Sequence, residues 1–180
     1  MKITVNIPGE VARVLRAHLF KSDVEEAAFL FARASLNSDE LRFDVDHLYP
    51  VPSDGWDVQH ALYLEMKDNE RAKIMKMARG RGAALVESHA HPGWGRQIRF
   101  SPSDLANLPD FATYVKWKLD GKPFAALVWS EQSVDGLAWY GDFSLPAPVD
   151  QVIILSTPPM TIVPTAAARR GTPTHTGSFG

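Results

Sequence analysis

Hydrophobic and polar residues alternate along several short segments of the chain, which is the pattern of half-buried β-strands. The alternation covers MKITVNI at the start, LRFDVDHLYPVP from Leu41 and AALVESHAH from Ala83. DVQHALYLEM, from Asp57, predicts one further strand. EEAAFLFARASL, from Glu25, is mostly apolar, and we interpret it as a buried strand, although its alanines would also suit a helix.

Apolar residues spaced three and four apart predict three helices between these strands. VARVLRAHLFKS carries the first helical stripe. KDNERAKIMKMARGRG carries the second, with Asp68 as a plausible N-cap and an end at Gly80 or Gly82. SPSDLANL begins the third, with Ser101 or Ser103 available as its N-cap.

The last third of the chain predicts three more strands. KPFAALVWS and GLAWYGDF form a hairpin around EQSVD, and DQVIILS follows as a last strand. Because strands and helices interleave, we expect an α/β fold with a single mixed β-sheet flanked by helices. From Pro164 the residues are small or polar without an apolar period. We therefore expect one domain over 1–163 and a disordered tail over 164–180.

The composition limits the classes of function. The chain has 180 residues, enough for one domain with a sizeable core. It has no cysteine, which excludes disulfides, thiolate zinc sites and cysteine nucleophiles. A formal net charge of −2 gives no reason to expect a nucleic-acid or membrane partner. The opening residues alternate instead of forming the apolar stretch of a signal peptide, so we expect a cytoplasmic protein.

Two histidines at the end of a predicted strand are the strongest candidates for chemistry. Residues i and i+2 of a strand share a face, so His89 and His91 project side by side. Pro92 and Gly93 end the strand there, and Asp104, at the start of the next helix, can turn back as a third ligand. Two imidazoles, one carboxylate and an open position are the arrangement of a catalytic zinc site.

A pair of histidines alone is weak evidence for a metal site, because two surface histidines at a strand end would show the same sequence pattern. Other metal families with such a pair fit this chain less well. Cupin-like sites require a glutamate a few residues later, where this chain reads PGWGRQ. The metallo-β-lactamase type requires HxHxDH, and position 93 is glycine.

The segment HAHP at 89–92, followed by SPSD at 101–104, resembles the signature of the JAMM (MPN+, JAB domain) zinc metalloproteases. That signature is H-x-H-P followed by S-x-x-D, with a glutamate upstream. Nine residues lie between His91 and Ser101, a spacing similar to that of the family. The order of predicted elements is similar from the first helix to DQVIIL. The resemblance implies an MPN/JAB-domain architecture, which is cytidine-deaminase-like.

The resemblance also implies roles for individual residues. His89, His91 and Asp104 would be the zinc ligands, and Ser101 would help to stabilise the oxyanion. Since no cysteine is available, nitrogen and oxygen must hold the metal.

The upstream glutamate of the family is best matched by Glu26, in EEAAFLF at the head of the first core strand. This glutamate would act as the general base. Ala28 and Phe29 stand where the family usually has cysteine and glycine, which leaves the register open by one residue. Glu25 is therefore a rival for the role. Glu87, which shares the strand face of the histidine pair, is a second rival.

The function implied by the resemblance is a zinc-dependent peptidase or isopeptidase of the deubiquitinase-like type. It would process or deconjugate a ubiquitin-like protein at its C-terminal glycine, with conjugation-pathway proteins as further partners. The chain is similar to compact prokaryotic-type, stand-alone members. One alternative is a hydrolase that processes a sulfur-carrier protein. Another is a non-catalytic MPN scaffold. The intact HxHP and SxxD segments argue against it, because a scaffold has no need to keep every ligand.

Overall fold

The computed structural model describes residues 1–60 and 63–166, in which strands and helices interleave. The α-helices are α1 (Gly9–Leu19), α2 (Asp68–Arg81) and α3 (Pro102–Lys118). The β-strands, in chain order, are β1 (Lys2–Pro8), β2 (Ala27–Leu36), β3 (Glu40–Pro50), β4 (Trp56–His60), β5 (Tyr63–Met66), β6 (Ala84–Ala90), β7 (Phe124–Trp129), β8 (Val134–Trp139), β9 (Ala147–Pro148), β10 (Gln151–Leu155) and β11 (Met160–Ile162).

Nine of the described strands form one mixed sheet, in the order β11-β10-β1-β3-β2-β6-β7-β8-β9. β1 runs parallel to β3 and β10, and β6 runs parallel to β7. The other neighbouring pairs are antiparallel. β6 therefore lies inside the sheet, between β2 and β7. The predicted α/β class, with a mixed sheet flanked by helices, is confirmed.

Helices cover both faces of this sheet, and β2 contributes to the core on each side. Its even-numbered residues, such as Ala28 and Leu30, pack in one core with the apolar side of α1. Its odd-numbered residues, such as Ala27 and Phe29, pack in a second core with α2 and α3. A strand buried on both faces needs no polar alternation, which explains the apolar run that we interpreted as a strand.

The segment DVQHALYLEM forms two strands, β4 and β5, and the prediction of one strand there was wrong. β4 and β5 pair antiparallel as a separate two-stranded sheet, with Gln59 opposite Leu64 and His60 opposite Tyr63. The predicted single sheet is thus accompanied by a second, small one. Residues 61 and 62 lie outside the described ranges. The segment has no glycine, proline or asparagine at its middle, so its sequence does not indicate a turn.

Two helix ends agree with the sequence and one differs. The Ser101 hydroxyl caps α3, and Gly82 ends α2 in the left-handed conformation, with φ of 62°, that suits glycine. Asp68, the predicted N-cap of α2, is instead its first helical residue, because Lys67 occupies the cap position.

The last described residues are held against β8. The Thr165 hydroxyl donates to the Val134 carbonyl at 3.3 Å, and the Ala166 N–H donates to Asp135 Oδ1 at 3.0 Å. The remainder of the predicted disordered tail, 167–180, lies outside the described residues. In the part of the chain that the structure describes, no helix combines the length and apolarity that a membrane crossing requires.

Candidate metal centre

The two histidines lie where strand β6 ends in the interior of the sheet. His89 pairs with Ala27 of β2 and Val128 of β7. The backbone N–H of His91 donates to the Trp129 carbonyl at 2.8 Å, so the backbone of His91 is also held by strand β7. Both side chains are buried, and their ring centroids are 5.1 Å apart. Two imidazoles on one face of a central strand are therefore held rigidly.

Helix α3 brings Asp104 to the same place. The Ser101 hydroxyl accepts a hydrogen bond from the Asp104 N–H at 3.1 Å, and Asp104 Oδ2 accepts one from the Ser101 N–H at 2.7 Å. This capping box fixes the carboxylate over the strand end. Asp104 Oδ2 lies 3.5 Å from Nε2 of His89 and 3.3 Å from Nε2 of His91. The structure thus brings together all three predicted ligands, within 4.8 Å of one another.

The donor atoms of this cluster suit a metal ion. Both Nε2 atoms are buried and make no hydrogen bond within the described residues, although Asp104 Oδ2 lies close to each. A buried polar atom without a partner is costly, and a cation between these atoms would satisfy all three donors. Two nitrogens and one oxygen, with no thiolate, fit zinc with a position left open.

Glu87 supports the cluster from behind His89. Its Oε1 lies 3.0 Å from Nδ1 of His89, which can donate a proton to it. When His89 is neutral, that tautomer leaves the lone pair of Nε2 available to a metal ion. A carboxylate that orients a ligating imidazole in this way is a common outer partner in metal sites. Glu87, a rival for the general base, therefore contacts the candidate ligand His89 at Nδ1, the ring nitrogen that does not face Asp104.

The charges around the cluster favour a cation at its centre. Burial disfavours protonation of His89, but the carboxylates of Glu87 and Asp104 outweigh it and raise the pKa of the imidazole well above its usual value. Burial likewise disfavours the ionised form of Asp104, but its contacts with His89 and His91 hold the pKa of the carboxyl well below its usual range. Without a metal, a proton on His89 supplies the positive charge.

Glu25 lies on the same face of the sheet as the histidines. Its Oε1 is 3.2 Å from Nε2 of His91, and the side chain is buried. Burial raises the pKa of Glu25 to about 7, with the charge on His89 lowering it and that on Asp104 raising it. A carboxylate with a pKa near neutrality beside a candidate metal site suits proton transfer.

Glu26, the predicted general base, is not at the cluster. Its Oε1 lies 3.3 Å from the Lys21 ammonium, and its Oε2 lies 3.9 Å from Nε2 of His18. Successive residues of an extended chain point to opposite faces, so Glu26 faces α1 when Glu25 faces the histidines. Glu26 therefore lies away from the three candidate ligands, whereas Glu25, the alternative that the register had left open, lies beside them.

Aromatic rings shield the cluster in a way that the sequence did not indicate. The Trp94 ring centroid is 4.7 Å from that of His91, and the Phe100 centroid is 6.0 Å from that of His89. No sequence pattern around Phe100 indicates that it would lie beside the histidines. These rings lower the local polarity, which strengthens electrostatic interactions in the site.

A cleft of about 410 Å³ adjoins the cluster. Glu25, Glu87, His89 and Asp104 are among its lining residues. Most of its other walls come from the β4–β5 hairpin and from α3, with Phe29 of β2 and Arg71 of α2 also lining it. A ligand in this cleft would lie directly beside the candidate metal site.

Comparison with known proteins identifies the fold and no family. No protein-family model matches the chain, and no curated protein matches it. The solution structure of protein DSY2949 from Desulfitobacterium hafniense is similar, with a TM-score of 0.51 and 17% sequence identity. The similarity covers 84% of this chain and 92% of that chain. At such identity, the two proteins share a fold and nothing further follows about activity.

Proposed function

We propose that this protein is a zinc-dependent peptidase or isopeptidase. The observation that carries the proposal is the convergence of His89, His91 and Asp104 on one point, with the Glu25 carboxylate beside them. A zinc ion held by those three side chains would act as a Lewis acid and bring the ionisation of water near neutral pH. A scaffold that only binds partners would not need a proton acceptor at that point.

Glu25 is the proton-transfer group in this proposal. The carboxylate lies beside the three candidate ligands, with Oε1 3.2 Å from Nε2 of His91, where it could take a proton from an attacking water. In the metal-free protein, burial raises the pKa of Glu25 to about 7. The same carboxyl group can then return the proton to the leaving amine. Its burial keeps bulk water from competing for that proton.

Ser101 is the candidate donor to the developing oxyanion. Its Oγ accepts the N–H of Asp104, but the cap does not use the hydroxyl hydrogen. That hydrogen can therefore be donated to a carbonyl oxygen next to Asp104. A fixed donor of this kind is typically worth about 3 kcal/mol in the transition state.

The resemblance of HAHP and SPSD to the JAMM signature supports a substrate class. It favours a ubiquitin-like protein, cut at its C-terminal glycine in a precursor or a conjugate, and an MPN/JAB type of fold. Processing of a sulfur-carrier protein is the alternative within the same chemistry.

The test uses the zinc-loaded protein and fusions in which a ubiquitin-like protein ending in Gly-Gly precedes a reporter. Glu25→Gln should retain zinc and lose a hundredfold or more of the cleavage rate, as expected for a general base. Glu26→Gln is the matched control and should cleave within a few-fold of the unaltered protein. An active Glu25→Gln with an inactive Glu26→Gln would contradict the assignment. Absence of both zinc and cleavage in the unaltered protein would contradict the proposed function and favour a scaffold.

A further inference from the structure

The cleft beside the ligand cluster has an aromatic wall. Phe29 of β2, Trp56 of β4, and Phe111 and Tyr114 of α3 line it. The Phe111 ring is held in place, since its centroid lies 6.0 Å from that of Phe29 and 5.5 Å from that of Phe124. The wall is thus preformed. A volume of about 410 Å³ falls within the range of sites for small ligands, and it greatly exceeds what a glycine needs.

Helix α3 connects this wall to the candidate metal site. Asp104, Leu108 and Phe111 all line the cleft at spacings of four and three residues, so they form one stripe along the helix. At 1.5 Å per residue, Phe111 lies about 10 Å along the axis from Asp104. The wall also extends closer to the histidines, because Phe29 lies two residues along β2 from Ala27, which pairs with His89. Two residues of a strand span about 7 Å. A large side chain on a residue that flanks the reacting bond can therefore reach the near end of this wall.

The charges of the cleft disfavour a carboxylate as its occupant. Glu65 and Asp110 add two exposed carboxylates to those of the ligand cluster. Asp110 has no ion-pair partner among the residues described. One arginine, Arg71, is among the described lining residues; it lies 3.7 Å from Asp68 Oδ1 and donates to the Met66 carbonyl. Apolar walls with surplus negative charge favour a neutral, apolar group over an anion.

From these observations we infer that the cleft is a specificity pocket for an aromatic or large aliphatic side chain. The inference rests on the proposed function, because the side chain belongs to a residue that flanks the hydrolysed bond. Because a free carboxylate is disfavoured, that residue lies within a chain or carries a blocked terminus. A substrate with glycine immediately before the hydrolysed bond remains compatible with the pocket if the large residue is the one immediately after that bond.

The first experiment measures kcat/KM of the zinc-loaded protein on internally quenched, terminally blocked peptides. Phenylalanine, leucine, alanine or glycine is placed in turn at each position flanking the cleaved bond. Phenylalanine should exceed glycine by ten- to a hundredfold at one of the two positions, since burying such a side chain is worth about 1.5–3 kcal/mol. Equal rates for phenylalanine and glycine at both positions would overturn the inference.

Variants then assign the selectivity to the cleft. Asn107→Trp places a large ring in the cleft from an exposed position of α3 without removing a core side chain, and it should bring the ratio of phenylalanine to glycine near one. Phe111→Ala should lower the same ratio. Trp117→Ala is the control, because Trp117 lies on the same helix, is 71% exposed and does not line the cleft. A ratio that Asn107→Trp leaves unchanged would contradict the pocket.

A binding measurement separates the pocket from the catalytic proposal. If no peptide is cleaved, the proposed function fails, and the pocket is tested with fluorescently labelled, blocked peptides and zinc-loaded protein. The phenylalanine peptide should bind at least tenfold more tightly than the glycine peptide. It should also bind more tightly than the same peptide with a free carboxylate on the phenylalanine, and Asn107→Trp should abolish both differences. Equal affinities for all three peptides would overturn the inference independently of any hydrolysis.

Discussion

Glu87 is placed to tune the candidate metal site without ligating it. Its Oε1 lies 3.0 Å from Nδ1 of His89, which can donate a hydrogen bond to it and so direct the opposite nitrogen to the cluster. Glu87→Gln should keep the site assembled but weaken zinc affinity by about 10- to 100-fold, as is usual when such a partner is removed. Competition with a chromophoric chelator measures this. Glu65→Gln, which removes a carboxylate of the cleft away from the histidines, should change affinity less than threefold, and an equal loss in both variants would contradict the role.

At the same scale, the sequence located the three candidate metal ligands but not the glutamate that lies beside them. His89 and His91 share a face because side chains alternate along a strand, and the SPSD segment predicts a helix cap. The histidine pair and the position of Asp104 at the start of a helix therefore both follow from local sequence patterns. The choice between Glu25 and Glu26 depends on how β2 pairs with β6, with Ala27 opposite His89. That register is a tertiary property, and adjacent glutamates at a strand head carry no local signal of it.

At the scale of elements, the N-terminus of α3 would link helix stability to metal binding at the candidate site. Ser101→Ala removes the side-chain cap and should destabilise the metal-free protein by about 1 kcal/mol. Because the same capping box fixes Asp104, zinc affinity should fall as well. Urea denaturation and zinc titration measure the two effects. Ser103→Ala is the control, since its hydroxyl only accepts a 3.4 Å hydrogen bond from Asn107. Loss of zinc affinity that is no greater than in Ser103→Ala would contradict the link.

The elements themselves were predictable to different degrees. The cap at Ser101 and the stop at Gly82 follow from residue chemistry that acts within one turn. The β4–β5 hairpin does not, because the residues between its two strands, Ala61 and Leu62, are not residues that favour turns. Trp56 of this hairpin lines the cleft, so this part of the aromatic wall was not predicted.

At the scale of the whole molecule, the cluster makes the stability of the metal-free protein depend on pH. The folded pKa of Glu25 is about 7 against 4.5 for an ordinary glutamate, and the pKa of His89 is raised too. Both groups bind more protons when folded, so their contribution is present at low pH and lost as pH rises through their folded pKa values. For Glu25 the loss spans about pH 4.5 to 7. The shift is about 2.5 pKa units, and at about 1.4 kcal/mol per unit it gives a loss on the order of 3–4 kcal/mol.

Glu25→Gln isolates this effect from the other titrating groups. In the presence of a chelator, the variant should gain stability relative to the unaltered protein at pH 8 and not at pH 5. The measurement is the free energy of unfolding in urea at the two values of pH. The acidic Asp104 does not confuse the comparison, because its lowered pKa places its own loss below pH 3.8. An equal difference at pH 5 and pH 8 would contradict the burial of an ionisable Glu25 in the cluster.

We propose that His89, His91 and Asp104 together hold one zinc ion. Elemental analysis of the full-length protein, saturated with zinc and then freed of excess metal by gel filtration, measures this occupancy. We expect one zinc per chain for the unaltered protein and for Glu25→Gln, and none for His91→Ala. His60→Ala, which removes an exposed histidine of β4, should retain the full amount. Full zinc occupancy in His91→Ala, or none in the unaltered protein, would rule out a zinc site at these three residues.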